Sequence, residues 1–359
     1  MLIEKPRFPI KDILLFGFLP GFFKKLIYRL KGYRIGKNVS IGFGSVICGD
    51  EVLIGNFTTI GFLTIIRGKK ISIGDYVNIG SVSFLDTPYI EIGDGSRINE
   101  QVFVGGLQFP DSKFIMGRNC QVMQMSFLNP TRSIIIGDDS GIGGNCMLFG
   151  HNSWLSRFEG YPVDFEPIEI GKSVSVSWGA FLLPGTKIGD GAVIGAQSVV
   201  NRSVPEKCLA IGFPARIVSK FPDFPREVTW EEKVEMIRNI VSEMLEFFRD
   251  SGLPCNSKGN IYEVTKAEKK LLMNIRRTMR FSLSCETPPD DTWNSSQEDI
   301  DVFLSLWAIP VNLRKELIVR QVMWIDVENK EQSFLDNDLG NEIILYLRRY
   351  GVRFIRVNL

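Results

Sequence analysis

The chain has 359 residues, 44% hydrophobic and 23% charged, a balance that suits soluble globular protein of roughly two domains. A formal net charge of +1 gives no support to a nucleic-acid role, which calls for a concentrated basic face. A single histidine rules out a three-histidine metal site within one chain, and no metal is expected.

In chain order, the first feature is an uncharged run from Ile13 to Phe23, interrupted by Gly17, Pro20 and Gly21. It is too short and too broken to span a bilayer. Glu4 and Asp12 ahead of it, with no small-residue cleavage site, argue against a signal peptide. Lys24, Lys25, Arg29, Lys31, Arg34 and Lys37 follow closely. Two readings of residues 13–37 stay open: an amphipathic, basic element resting on an anionic membrane surface, or a helix capping the open end of a solenoid.

From residue 35 a six-residue beat of an aliphatic residue followed by Gly takes over. Pairs stand at Ile35/Gly36, Ile54/Gly55, Ile73/Gly74 and Ile92/Gly93, each 19 residues after the last. The register slips, then recovers at Ile136/Gly137, Ile170/Gly171 and Ile188/Gly189, with half-beats such as Ile41/Gly42 and Ile142/Gly143 between. In "IGKNVS IGFGSV" the fifth place of each beat is small or β-branched. An extended segment of this length turns a corner, puts its aliphatic residue in a narrow interior and needs Gly where the backbone bends. Three such segments make one triangular coil, and coils must stack to bury a core. The rival, a run of βαβ units, fails because the beat leaves no room for a helix between strands. The expected fold class is mainly β: a parallel β-helix over residues 35–218, with an N-terminal helical cap over 1–34 and a C-terminal α+β domain over 219–359.

The beat breaks open after Leu148, where "FGHNSWLSRFEGYPVDFEP" intervenes before "IEIGKSV" resumes it. A solenoid tolerates an insertion only as an outward loop, here 149–167, and a loop on a rigid scaffold is where chemistry is carried. His151 sits at its base. A neutral imidazole is suited to accept a proton near neutral pH, although a lone surface histidine is more often just a polar residue.

Six cysteines are scattered with no CxxC pair, which reads as reduced thiols in a cytosolic protein; Cys48, Cys120 and Cys146 fall at small-residue places of the beat as filler. After Arg216 the beat stops. Pro222 and Pro225 mark a linker, and 226–249 has helical periodicity with Met236, Ile240, Met244, Leu245 and Phe248 on one face. "IDVFLSLWAI", "ELIVRQVMWIDVEN" and "VRFIRVNL" read as strands, "LGNEIILYLRRY" as a helix and "SCETPPDDTWNSSQED" as a loop.

Residues 136–218 resemble the hexapeptide-repeat acyltransferases, especially galactoside and maltose acetyltransferases and surface-polysaccharide O-acetyltransferases. The resemblance lies in Gly150/His151, the loop, "PIEIGKSV", "LLPGTKIGDGAVIGAQSVV" and the closing "VPEKCLAIGFPARIV". With the weaker repeats from 35 to 135 it covers half the chain. It implies a left-handed β-helix, a homotrimer and acetyl-CoA as acyl donor in a cleft between subunits. His151 then matches the general base and the backbone N–H of Trp178 the oxyanion donor. Ala196 matches a place beside the pantetheine arm, Asn201 and Arg202 the turn near pantetheine and phosphate, and Arg216 a base near the nucleotide phosphates. Trp178 departs from the family, which has Trp earlier in that coil and small residues here. Acceptor residues do not carry over, and Gln124 and Ser126 are only neighbours of the family's acceptor position. The resemblance implies O-acetylation of a sugar in a surface polysaccharide or its precursor, in the cytoplasm or at the inner face of the membrane. N-acetylation of an amino sugar and a noncatalytic β-helix scaffold are the alternatives.

Overall fold

The computed structural model describes residues 9–153, 155–270, 273–285 and 299–357, with backbone alone at 268–270 and 273–276. Residues 1–8 of the expected cap, Trp154 of the expected loop and residues 286–298 of the polar segment lie outside the described residues. The chain divides into two compact units between Glu227 and Val228.

In the first unit, strands fall into three sheets of eight, ten and eight, each taking every third strand of the coils. Within the stack all neighbours are parallel, which makes a three-faced parallel β-helix. The register follows the beat: Ile35 pairs with Ile54, Ile54 with Ile73 and Ile73 with Ile92. Met116 fills the beat that seemed missing, pairing with Ile92 below and Ile136 above. From Ile54 onward these side chains form one buried column, with the half-buried Ile35 packed against it. Each such side chain contributes about 1.5–3 kcal/mol by leaving water.

The glycines serve a different purpose from the one the beat suggests. Gly36, Gly55, Gly74 and Gly93 have no positive φ; the sharp bends fall two residues later, at Asn38 (φ 53), Phe57 (φ 57) and Tyr76 (φ 57). What the glycines allow is close stacking of coils. A Cβ on Gly55 would lie 2.4 Å from the backbone carbon of Gly74. The fifth place is also more than small, because its hydroxyl ties coil to coil. Thr58 donates to Gly74 O at 2.8 Å and Ser140 to Gly171 O at 2.7 Å. Cys120 and Cys146 stand in for those hydroxyls, their thiols facing Gly137 O and Ser177 O.

The coils open twice, not once. Besides the loop after His151, residues 106–112 leave the stack between strands Phe103–Gly105 and Lys113–Met116. The antiparallel pair Cys208–Gly212 and Ala215–Lys220 ends the stack. At its beginning, a short helix at Ile10–Asp12, a π turn at Ile13–Gly17 and a helix at Gly21–Leu30 precede the first strand.

The second unit is a seven-stranded mixed sheet whose strands lie in chain order, with helices at Trp230–Asp250, Val311–Val319 and Asp338–Leu347. Thr229 and Glu232 form a reciprocal cap at the first helix. Its buried face is Ile237, Val241, Met244, Leu245 and Phe248; Met236 is exposed, one position out of the expected stripe. The segment expected as one strand over 316–329 is instead the end of a helix and the strand Met323–Asp326. Arg314, which donates to Asp326 and Glu331, fixes that helix beside the strand.

Candidate active site

His151 follows the strand Met147–Phe149, on a coil whose next turn carries Phe181–Leu182 in parallel register. The chain leaves the stack at Gly150, whose N–H donates to Asn129 O at 2.9 Å. Only glycine fits there, because a Cβ would lie 2.8 Å from Arg132 O. The neck of the loop is pinned directly after the histidine, where Asn152 and Asp164 exchange backbone hydrogen bonds at 2.8 and 2.9 Å.

That clasp brings Phe165 onto the imidazole, with ring centroids 6.0 Å apart and planes 15° apart. Phe149 lies on another side at 6.4 Å. Phe165 in turn meets Phe109 edge-on, so the two loops that leave the stack touch beside the histidine. Arg132 lies over Phe109 and pairs with Asp111. Sequence reasoning missed these aromatic walls. The signal was the slip after Ile92, which marks the 106–112 loop, together with a phenylalanine in each loop.

The aromatic walls set the electrostatics. Burial lowers the His151 pKa below its ordinary 6.5, so the imidazole is neutral at pH 7. Its Nδ1 is sealed from solvent and has no hydrogen-bond partner among the described residues. A buried, unpaired ring nitrogen costs free energy and is uncommon in a finished fold.

Trp178 lies one coil further on and is 46% exposed. The indole lies over Gly144, where a Cβ would come within 2.4 Å of the ring. The structure does not bring Trp178 and His151 together in one chain. Trp178 precedes Phe181–Leu182, whereas His151 follows the strand that pairs with it, so they sit at opposite ends of one face. Ala196 stacks on the Trp178 corner one coil later, because Ser175–Val176 pairs with Val193–Ile194. Ala196, Asn201, Arg202 and Arg216 are all exposed, and among the described residues the Arg216 guanidinium donates only to its neighbour's carbonyl, Ala215 O. Ser126 is not free for a ligand: it is buried, donates to Gly143 O and accepts from the Cys146 N–H. Gln124 is half-buried and accepts from Asn99. Among the described residues no group of three or more His, Cys, Asp or Glu side chains is placed to hold a metal.

No protein-family model matches the chain. Two curated proteins of Escherichia coli (strain K12) are similar to it. One, provisionally named a lipopolysaccharide biosynthesis O-acetyl transferase, is 32% identical over 114 residues, 29% of this chain and 58% of that protein. The other, galactoside O-acetyltransferase, is 31% identical over 137 residues, 35% of this chain and 66% of that protein. The chain thus spans less than two thirds of either relative. Among solved structures, the Arabidopsis UDP-N-acetylglucosamine acyltransferase overlaps 53% of this chain and 71% of its own, at 18% identity and a TM-score of 0.37. The fold assignment rests on the strand register above.

Proposed function

We propose, from the resemblance of this chain to the hexapeptide-repeat acyltransferases, that it is an acetyl-CoA-dependent O-acetyltransferase acting on a sugar hydroxyl of a surface polysaccharide or its precursor. The observation that carries the reading is His151: the only histidine, at the break in the beat, neutral, walled by Phe149 and Phe165 and left with an unpaired nitrogen. The names of the two bacterial relatives supply the reaction class.

Acetyl-CoA is the cosubstrate that brings the acetyl group as a thioester. His151 takes the proton from the acceptor hydroxyl as that oxygen attacks the thioester carbonyl, and returns it to the departing thiolate. With Nδ1 sealed, Nε2 is the nitrogen left to meet the substrate. The Trp178 N–H steadies the negative charge that builds on the carbonyl oxygen. Ala196 leaves room for the pantetheine arm, Asn201 and Arg202 line the turn beside it, and Arg216 offers its guanidinium to the nucleotide phosphates. All four are exposed, as a bound cosubstrate requires.

Base and oxyanion donor stand at opposite ends of one face in a single chain. They complete one site only when His151 of one copy faces Trp178 of the next, which supports a cyclic homotrimer with its clefts between copies. The Trp178 indole over Gly144 then narrows that cleft where the family keeps small residues.

Transfer from acetyl-CoA to purified glycan precursors, followed by mass spectrometry and mild base, tests the reaction. The expected product is an ester lost in base, with His151→Ala lowering turnover by about 10²–10⁴-fold. A base-stable acetyl product would establish amide formation. Unchanged turnover in His151→Ala would remove the histidine from the mechanism.

A further inference from the structure

The N-terminal segment has its amphipathicity turned inside out relative to an ordinary solenoid cap. The first coil has no coil beneath it, so its backbone groups need partners. The helix Gly21–Leu30 supplies them with polar atoms. Lys24, fully buried, donates through Nζ to Gly42 O at 2.6 Å and Ser45 O at 3.0 Å. The Tyr28 hydroxyl accepts from the Ile47 N–H at 3.0 Å, and Lys25 donates to Val39 O at 3.0 Å. Gly21 lets the helix lie close, since a Cβ there would sit 2.9 Å from Ile41 O. Burial lowers the Lys24 pKa to about 8.

The opposite face is apolar and open. Phe22, Leu26 and Leu30 recur every four residues, half a turn from Lys24 and Tyr28, and Leu30 is 80% exposed. Ile10, Leu14 and Leu15 in the preceding turns are exposed as well, Leu14 to 69%. Monomeric soluble proteins rarely leave so many neighbouring large apolar side chains in water. Lys11, Arg29, Lys31, Arg34 and Lys37 are exposed on the same segment, against one acid, Asp12, which pairs with Lys31.

We propose that this face docks the protein on an anionic lipid bilayer, with the Gly21–Leu30 helix lying in the interface plane. The charges favour that occupant, because cations beside the apolar residues meet anionic headgroups. A second copy brought to the same face would set its cations against these. Capping and membrane contact are therefore two faces of one helix. Among the described residues no helix is long and apolar enough to cross a membrane.

The test is co-sedimentation of the full chain with vesicles of phosphatidylcholine alone and of phosphatidylcholine with about one third phosphatidylglycerol. The wild type is expected to bind the anionic vesicles, and the variant Phe22→Ser/Leu26→Ser/Leu30→Ser to bind at least about tenfold more weakly with unchanged thermal unfolding. If the triple variant melts early, the uncharged change Leu30→Ser alone reads the loss, since Leu30 is 80% exposed and packs little. A wild type that ignores both vesicle types overturns the proposal, as does a well-folded variant that binds as the wild type does. A wild-type oligomer that the variant breaks in the absence of any vesicle binding gives the face to a second copy, and also overturns it.

Discussion

In the regular coils a buried hydroxyl such as Ser126 or Ser140 donates to a carbonyl of the coil above and accepts an N–H in return. Beside the long loop, Nδ1 of His151 is equally buried and has no partner among the described residues. The coils repeat because the buried hydroxyls at the fifth place find their counterparts in the next turn, while elsewhere in the coils Thr87 Oγ1 has no partner among the described residues. Where the chain leaves the beat, that counterpart is missing from Nδ1, and Nε2 is the nitrogen proposed to meet the substrate. Stability and the proposed chemistry thus fall to different residues of one unit, and substitutions in the two regions should fail in different ways.

The largest effect on folding is expected in the glycine column. Gly55→Val places a branched side chain against the Asp75 carboxylate and the backbone of Gly74, which cannot retreat from a stacked coil. Thermal or denaturant unfolding should show a loss of about 3 kcal/mol or more. A stability within a few tenths of wild type would mean the coils tolerate wider spacing and the close-approach account is wrong.

A smaller, opposite signature belongs to the break. Because burial lowers the His151 pKa, the neutral imidazole persists to lower pH than an ordinary histidine allows. Turnover should be flat through neutrality and fall only below pH 6.5, the ordinary value, as the imidazole gains its proton. Phe165→Ser, which lets water onto the ring, should move that limb up toward 6.5 while leaving unfolding nearly unchanged. An acid limb at the same pH in both proteins would detach the aromatic wall from the base.

The sequence made the solenoid legible because its beat is short and each coil pairs with the next. Even Met116, which hides one beat behind a different side chain, takes its place in register. The reason for the beat glycines was not legible, since close approach between coils is a distance across 19 residues and not a local preference. The walls of the site were hidden for a related cause: Phe109 and Phe165 meet only because two loops leave the same sheet from coils separated by the one that carries Phe127–Asn129. In the second unit the helix Val311–Val319 was obscured by its β-branched, nearly unpatterned sequence. Arg314 places it through Asp326, a contact that no periodicity announces.

The central claim is that His151 and Trp178 act together only across two copies. The direct measurement co-assembles His151→Ala with Trp178→Pro, which lacks the donor N–H, after each variant alone is found folded and inactive. In a cyclic trimer of randomly mixed copies, about one interface in four joins an intact His151 to an intact Trp178. Activity near a quarter of wild type is the predicted result. A mixture no more active than either parent, in assemblies verified to contain both, would contradict the account.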